Sequence, residues 1–167
     1  MITAVIIDDE QNNIDNLKAL LQKHCTNITI VASALNAHDG KEIILQQKPD
    51  LVFLDIQMPV TSGFDLLKSF SSFLFEIIFV TAYDQYALQA IKFSAVDYIL
   101  KPIKVNDLKN AVEKAMERIA AKKQNKHLEN LLSLLQNQFR KEEHRITCFK
   151  RNQVYTYRFH HPMPVCK

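Results

Sequence analysis

Residues 51–59 of this chain read LVFLDIQMP. Its first four residues are apolar, which is typical of a strand buried on both faces of a sheet. The strand ends in a carboxylate, Asp55, and Pro59 follows shortly after. A buried charge is costly unless it is paired or bound to a cation. We therefore expect Asp55 to lie at an opening of the fold, with partners from other segments.

Four similar apolar runs occur elsewhere, and helical patterns separate all five. The runs are residues 4–7, 29–32, 51–54, 77–80 and 96–100. Alternating strands and helices are the signature of a parallel sheet covered by helices on both faces. We therefore predict an α/β fold in which five parallel strands form a doubly wound sheet.

The spacing of apolar residues predicts the faces of the helices. The fourth helix has a predicted inward face of Ala87, Ala90 and Ile91. Asp39 is a candidate N-terminal cap of the second helix. The fifth helix carries an apolar stripe of Leu108, Val112, Ala115 and Ile119. A second stripe is out of phase with it by one residue and consists of Leu128, Leu132, Leu135 and Phe139. One helix, or two helices with a hinge near residues 121–126, would both fit this pattern.

Polar residues follow four of the five predicted strands. Asp8 and Asp9 follow the first strand, Thr81 ends the fourth, and Lys101 follows the fifth. The carboxyl ends of parallel strands meet at one edge of the sheet, where ligands of such folds bind. Three carboxylates repel one another unless a cation lies among them, and their oxygens suit Mg²⁺. A divalent ion, a lysine and a hydroxyl around Asp55 would stabilise a phosphoryl group transferred to its carboxylate.

Four motifs at these strand ends resemble the receiver domain of bacterial two-component response regulators, over about residues 1–120. IIDDE resembles the acidic pair of that family, LDIQMP its phosphoacceptor segment, VTA its switch-threonine segment and DYILKP its lysine-proline segment. The resemblance implies a flavodoxin-like sheet with strand order 2-1-3-4-5. It also implies that a histidine kinase transfers a phosphoryl group to Asp55 in a Mg²⁺-dependent reaction.

The resemblance assigns roles to individual residues. It implies that Asp9, Asp55 and the main-chain carbonyl of Gln57 bind Mg²⁺ directly, while Asp8 assists through water. The phosphoryl-binding and switch residues would be Thr81, Ala82, Lys101 and Tyr98. Pro102 is a candidate for a cis peptide bond. Phosphorylation would draw Thr81 inward and let Tyr98 turn towards the vacated space; alternatively, Tyr98 packs at an interface and never switches.

A longer segment, VTAYDQYALQAIKFSAVDYILKPI, resembles the LytTR (LytR/AlgR) branch of response regulators. Regulators of this branch carry a C-terminal DNA-binding domain built mostly of strands. The resemblance implies transcription regulation, with DNA bound only by the full-length protein. It also implies a homodimer through the fourth helix, fifth strand and fifth helix, a face that bears Lys92 and Tyr98.

The two parts of the chain differ in charge. Residues 1–102 carry 7 basic and 12 acidic side chains, whereas residues 103–167 carry 14 basic and 6 acidic ones.

We divide the chain into a receiver (1–120), a helical linker (121–143) and a segment 144–167. We favour a linker that packs on a partner subunit over one that is a solvated spacer. The excess of basic residues is equally compatible with a solvated segment and with one that faces nucleic acid.

The last segment begins with HRIT, residues 144–147, which resembles the first strand of a LytTR domain. The chain then stops well short of a complete domain of that type. We expect the truncated start of an output domain or a disordered tail, with a possible strand around Val154, Tyr155, Tyr157 and Phe159. His160, His161 and Cys166 have unconvincing spacing for a metal site, and a disordered tail is the better interpretation.

Two other functions are compatible with the acidic edge. Phosphatases of the haloacid dehalogenase class also place an aspartate nucleophile at a strand end with Mg²⁺ and a lysine. They need a second aspartate two residues later, where this chain has Gln57. We therefore expect a phosphoacceptor with slow autodephosphorylation and not an enzyme. A stand-alone receiver that acts only through protein partners is the other alternative, and the long basic helix argues mildly against it.

Composition predicts a cytoplasmic location without membrane contact. No apolar run approaches the roughly 20 residues of a membrane span, and the N-terminal MITAVIIDDE lacks the basic region of a signal peptide. The three cysteines are too widely spaced for a disulfide framework.

Overall fold

The computed structural model of the chain describes residues 1–142, 146–150 and 153–157. Strands and helices alternate along its first part, in the order β1 (Ile2–Ile7), α1 (Gln11–His24), β2 (Ile28–Ala34), α2 (Ala37–Gln47), β3 (Leu51–Leu54), α3 (Gly63–Lys68), β4 (Glu76–Thr81), α4 (Ala87–Lys92) and β5 (Asp97–Leu100). They are followed by a long helix, α5 (Val105–Glu142), and by two strands, β6 (Ile146–Lys150) and β7 (Gln153–Tyr157). The first five strands form a parallel sheet in the order β2-β1-β3-β4-β5. This architecture confirms the predicted doubly wound fold.

The central strand β3 is buried on both faces, as its continuous apolar run predicts. Leu51 and Phe53 belong to the core on one side of the sheet. Val52 and Leu54 belong to the core on the other side, because successive side chains of a strand point to opposite faces. The two cores explain why this strand has no polar position before Asp55.

The helices divide between the two faces of the sheet. The buried residues of α1 and the first part of α5 join the core of Leu51, and those of α2, α3 and α4 join the core of Val52. The predicted inward face of α4 is wrong in two of its three members. Only Ala90 is buried, whereas Ala87 is exposed and Ile91 is 71% exposed. A helix of six residues presents little more than one turn to the sheet, so α4 needs only one buried contact.

The predicted cap of α2 is also wrong. The helix begins at Ala37, and the capping residue is Asn36, whose side-chain oxygen accepts a hydrogen bond from the Asp39 N–H at 2.9 Å. Asp39 lies in the first turn, where its negative charge is favourable beside the helix N-terminus. Either residue could cap a helix, and only its starting point decides between them.

The chain divides into two compact units, residues 1–121 and 122–167. Of the two alternatives for the basic region, the structure has the single helix, since α5 continues without a break from Val105 to Glu142. Its second part exposes the side chains of Leu128, Leu131, Leu132 and Leu134.

The strands β6 and β7 pair antiparallel, with Thr147 opposite Thr156. Val154, Tyr155 and Tyr157, suggested above for a terminal strand, lie on β7. Phe159 and the suggested metal-site residues His160, His161 and Cys166 lie outside the described residues. Within the described ranges, no helix is both long and apolar enough to cross a membrane.

Candidate functional site

The register of the two central strands brings Asp8 and Asp55 side by side. Ile7 of β1 pairs with Leu54 of β3, so the next residue of each strand is a carboxylate at the same edge. Neighbouring strands lie about 4.8 Å apart, and the Asp55 N–H donates to the Ile7 carbonyl at 2.8 Å. Asp9 joins them, because ligand atoms of the three carboxylates all lie within 4.8 Å of one another.

Lys101 connects two of these carboxylates. Its Nζ lies 2.6 Å from Asp55 Oδ2 and 2.7 Å from Asp8 Oδ2, so it donates a charge-assisted hydrogen bond to each. Its backbone N–H donates to the Thr81 carbonyl at 2.8 Å, which holds the end of β5 beside the end of β4. Burial by itself lowers the pKa of the Lys101 ammonium, but the two carboxylates outweigh it and the pKa is raised. The side chain therefore carries a fixed positive charge at neutral pH.

The orientation of Asp8 depends on a residue that the sequence analysis missed. Asp8 Oδ1 accepts hydrogen bonds from the Asn13 side chain at 3.0 Å and from the Glu10 N–H at 3.1 Å. Its other oxygen is left for Lys101. The available signal was the position of Asn13 in the first turn of the helix that follows the acidic pair, a turn that begins at the same edge of the sheet.

The residues present suit a divalent cation. Asp8 and Asp55 are buried and Asp9 is half-buried, so their charges are poorly screened by water. Three carboxylates and one ammonium leave two negative charges in this cluster. A hard divalent ion with a preference for oxygen ligands would neutralise them, and Mg²⁺ has these properties.

Thr81 ends β4 at the same edge and is completely buried. Its hydroxyl has no hydrogen-bond partner among the described residues. A buried hydroxyl without a partner costs about 1–3 kcal/mol, so its presence needs an explanation beyond packing. A hydroxyl in this place could donate to an anionic oxygen bound beside Asp55. Ala82, the next residue, is exposed.

Tyr98 lies on β5, and its hydroxyl donates a hydrogen bond to the main-chain carbonyl of Tyr83 in the loop before α4. The ring is half-buried against Phe79, with 6.4 Å between the ring centroids. Burial, and then the nearby carboxylates of Asp84 and Asp55, raise the pKa of the Tyr98 phenol. It is therefore a neutral donor at physiological pH, and whether it switches stays a prediction. The peptide bond between Lys101 and Pro102 is cis.

Gly63 and Tyr86 are further residues that the sequence analysis did not assign to the site. A Cβ atom on Gly63 would lie 2.2 Å from the Asp55 carbonyl oxygen, so only glycine permits this approach of α3 to the strand end. The hydroxyl of Tyr86 accepts a hydrogen bond from the Gln57 side chain at 2.8 Å. The hydrogen bond between Gln57 and Tyr86 joins segments that are 29 residues apart, and the approach of Gly63 depends on how α3 packs on the strand end, so the sequence carries no local signal for either.

Residues 4–113 match the family described as the response regulator receiver domain. The chain belongs to this family. An uncharacterized response regulatory protein of Vibrio cholerae is 44% identical to it over 119 residues, which are 71% of this chain and 50% of that protein. The sensory transduction protein LytT of Enterococcus faecalis is 39% identical over 117 residues, 69% of this chain and 48% of its own. This receiver thus spans about half the length of the curated relatives it matches.

Solved receiver structures have the same fold. The response regulatory domain of protein mrkE from Klebsiella pneumoniae superposes with a TM-score of 0.65 at 29% identity, over 71% of this chain and 98% of that one. The receiver domain of AraT, a response regulator from Geobacillus stearothermophilus, gives a TM-score of 0.66 at 28% identity, over 73% and 98% of the two chains.

Proposed function

We propose that this receiver acts in the cytoplasm and accepts a phosphoryl group on Asp55 from a sensor histidine kinase, in a reaction that requires Mg²⁺. The observation that carries the proposal is the position of Lys101, which contacts both Asp55 and Asp8 at the edge of the sheet. A fixed ammonium beside a buried carboxylate and an acidic cluster suits phosphoryl transfer, which needs mainly positioning and charge neutralisation. Membership of the receiver family supports the same conclusion.

The reaction replaces one bond to phosphorus by another. A carboxylate oxygen of Asp55 bonds to phosphorus while the bond to the imidazole nitrogen of the kinase phosphohistidine breaks, and that nitrogen keeps the electron pair. Lys101 stabilises the negative charge on the phosphoryl oxygens, and the Thr81 hydroxyl, which has no partner among the described residues, donates to one of them. Mg²⁺ held by Asp9, Asp55 and the Gln57 carbonyl, with Asp8 in support, would neutralise charge on the transferred group.

The proposed output is a change of partner at the face formed by α4, β5 and α5. Leu88 and Ile91 of α4 and Leu100 of β5 are apolar side chains exposed there, by 79%, 71% and 45%. Exposed apolar side chains that lie together often mark a protein interaction surface. We propose homodimerisation through this face, with control of a LytTR-type DNA-binding domain in the full-length protein; the similarity to LytT supports this branch. A stand-alone receiver would show no phosphorylation-dependent dimer.

Gln57 argues against phosphatase turnover. In a phosphatase with an aspartate nucleophile, the residue at this position supplies an acid or base. A carboxamide cannot do so, and in this receiver it donates to the Tyr86 hydroxyl. Phosphorylated Asp55 would be lost only by slow reaction with water.

The test is to incubate the protein with acetyl phosphate and Mg²⁺ and to measure covalent phosphate by intact-mass spectrometry. We expect one phosphoryl group on the wild type and none on Asp55→Asn. Chelation of Mg²⁺ should also prevent labelling. Asp65→Asn is the matched control, because Asp65 is an exposed carboxylate on α3 that pairs with Lys68 and is not a member of the cluster. Full labelling of Asp55→Asn at the wild-type stoichiometry would remove Asp55 from its proposed role.

A further inference from the structure

The loop that joins β3 to α3 holds its shape against backbone strain. Val60 has a φ of 71°, a left-handed conformation that is unfavourable for a β-branched residue, and its side chain is fully exposed. Such a conformation persists only where surrounding contacts determine it. Two contacts of the loop contribute: Met58 is buried in the core that α2, α3 and α4 share, and the Gly63 N–H donates to the Ile56 carbonyl at 2.9 Å.

Gln57 supplies a contact from this loop to another element. Its backbone N–H donates to Asp55 Oδ1 at 3.2 Å, so its main chain lies against the proposed phosphoacceptor. Its side-chain Nε2 donates to the Tyr86 hydroxyl at 2.8 Å, across 29 residues of sequence. One residue thus contacts the acidic cluster with its backbone and the region of α4 with its side chain.

The position of Tyr86, which accepts this hydrogen bond, is determined by several contacts. It is the residue before α4, and its carbonyl accepts the N–H groups of Gln89 and Ala90, each at 3.0 Å. Its ring meets the ring of Phe64 edge-on, with centroids 6.1 Å apart. Phe64 in turn stacks at 5.2 Å on Phe93, which follows α4. Both ends of the short helix are therefore tied to one aromatic cluster, and the Tyr86 hydroxyl connects that cluster to the loop.

We propose that Tyr86 is a positioning residue for the metal site. By holding the Gln57 side chain, it keeps the strained loop in the conformation in which the Gln57 main-chain carbonyl binds Mg²⁺. This inference rests on the proposed function, because the Mg²⁺ site is part of it. Coupling of this kind is reciprocal. Mg²⁺ binding must therefore strengthen the hydrogen bond between Gln57 and Tyr86 by the factor by which that bond strengthens Mg²⁺ binding, and the start of α4 is stabilised as a consequence.

The first measurement is the dissociation constant of Mg²⁺, by titration calorimetry without any phosphodonor. Tyr86→Phe removes the hydroxyl and keeps the ring that packs on Phe64. We expect it to raise the dissociation constant by up to about five-fold, since one typical net hydrogen bond sets the upper limit of the effect. Tyr83→Phe is the matched control: its ring lies 6.2 Å from that of Tyr86, and it should bind Mg²⁺ as the wild type does.

The second measurement is amide hydrogen exchange at Gln89 and Ala90, with and without Mg²⁺. In the wild type, Mg²⁺ should slow exchange at these two amides, and in Tyr86→Phe this slowing should be largely lost. A purely structural role for Tyr86 would instead speed exchange equally in both conditions. Gln57→Ala should weaken Mg²⁺ binding as Tyr86→Phe does, and the double variant should be no worse than either, because both remove the same hydrogen bond.

The outcomes separate this inference from the proposed function. One outcome is that the wild type is labelled on Asp55 and that Tyr86→Phe binds Mg²⁺ as tightly as the wild type does. In that case the positioning role of Tyr86 is wrong and the phosphoacceptor role of Asp55 stands. If the wild type neither binds Mg²⁺ nor accepts a phosphoryl group, both are wrong. Weaker binding by Tyr86→Phe, with normal binding by Tyr83→Phe, would support the coupling.

Discussion

Replacing Lys101 by methionine tests the electrostatics of the acidic cluster directly. The change removes the ammonium and keeps an apolar stem of similar length. Two hydrogen bonds to charged groups are lost, at 2.6 and 2.7 Å, and Asp8 and Asp55 then repel each other without an intervening positive charge. Removing one partner of a buried ion pair is costly because the remaining charge stays buried. The variant should therefore be less stable than the wild type when no divalent cation is bound.

The expected loss is about 2–3 kcal/mol. Each hydrogen bond to a charged group contributes roughly 1.5–3 kcal/mol. The total is reduced because the lysine no longer has to be removed from water and because 17% of its side chain is exposed. A domain with about 5–15 kcal/mol of stability remains folded after such a loss. The variant is therefore suitable for equilibrium measurements.

The assay is urea unfolding followed by far-ultraviolet circular dichroism, since the chain contains no tryptophan. In a chelator the transition of Lys101→Met should shift to lower urea with an unchanged slope. Saturating Mg²⁺ should recover at least half of the difference, because the variant cluster is more negative and gains more from a bound cation. Lys68→Met is the matched control. It removes an exposed lysine that pairs with Asp65 at 2.8 Å, and its stability should not respond to Mg²⁺.

Equal stability of Lys101→Met and the wild type in the chelator would contradict this prediction. A difference that Mg²⁺ leaves unchanged would also refute it, because the cluster would then not be where the cation binds. The phosphorylated variant should additionally show a weaker change in dimerisation than the wild type. An unchanged response would remove Lys101 from the switch.

Two further substitutions test packing and the buried hydroxyl. Gly63→Ala places a Cβ atom 2.2 Å from the Asp55 carbonyl oxygen. It should therefore cost about 2–3 kcal/mol of stability, measured by urea unfolding. It should also slow the labelling of Asp55, measured by mass spectrometry. Gly40→Ala is its control, because the new Cβ meets the flexible end of the Ile7 side chain at 2.7 Å and should cost less; equal losses would contradict the geometric argument. Thr81→Val removes a buried hydroxyl that has no partner among the described residues, so stability should be unchanged or rise by up to about 1 kcal/mol while labelling by acetyl phosphate becomes slower. A clear loss of stability would mean that the hydroxyl has a structural role.

Much of the site was predictable from the sequence because polar residues follow strands whose carboxyl ends must meet. Asp8, Asp55 and Lys101 are each the first residue after an apolar run. Parallel pairing then brings them to one edge of the sheet without any knowledge of side-chain contacts. The prediction from apolar periodicity was wrong for α4, where Ile91 fits the period and yet is exposed. Periodicity identifies a helix face, but a short helix need not bury all of it.

Three features follow from the sequence alone: the class of fold, the edge of the sheet at which the site lies and the identity of its charged residues. These depend on the alternation of buried strands and helices and on the residue that follows each strand, both of which are local properties. The tertiary structure decided what depends on contacts between distant segments. These include the hydrogen bond from Tyr98 to the Tyr83 carbonyl and the one between Gln57 and Tyr86. The Asn36 cap of α2 and the contact of Asn13 with Asp8 are local, but they depend on where each helix begins. Such contacts follow from register and from the placement of helices on the sheet, which no local pattern of residues records.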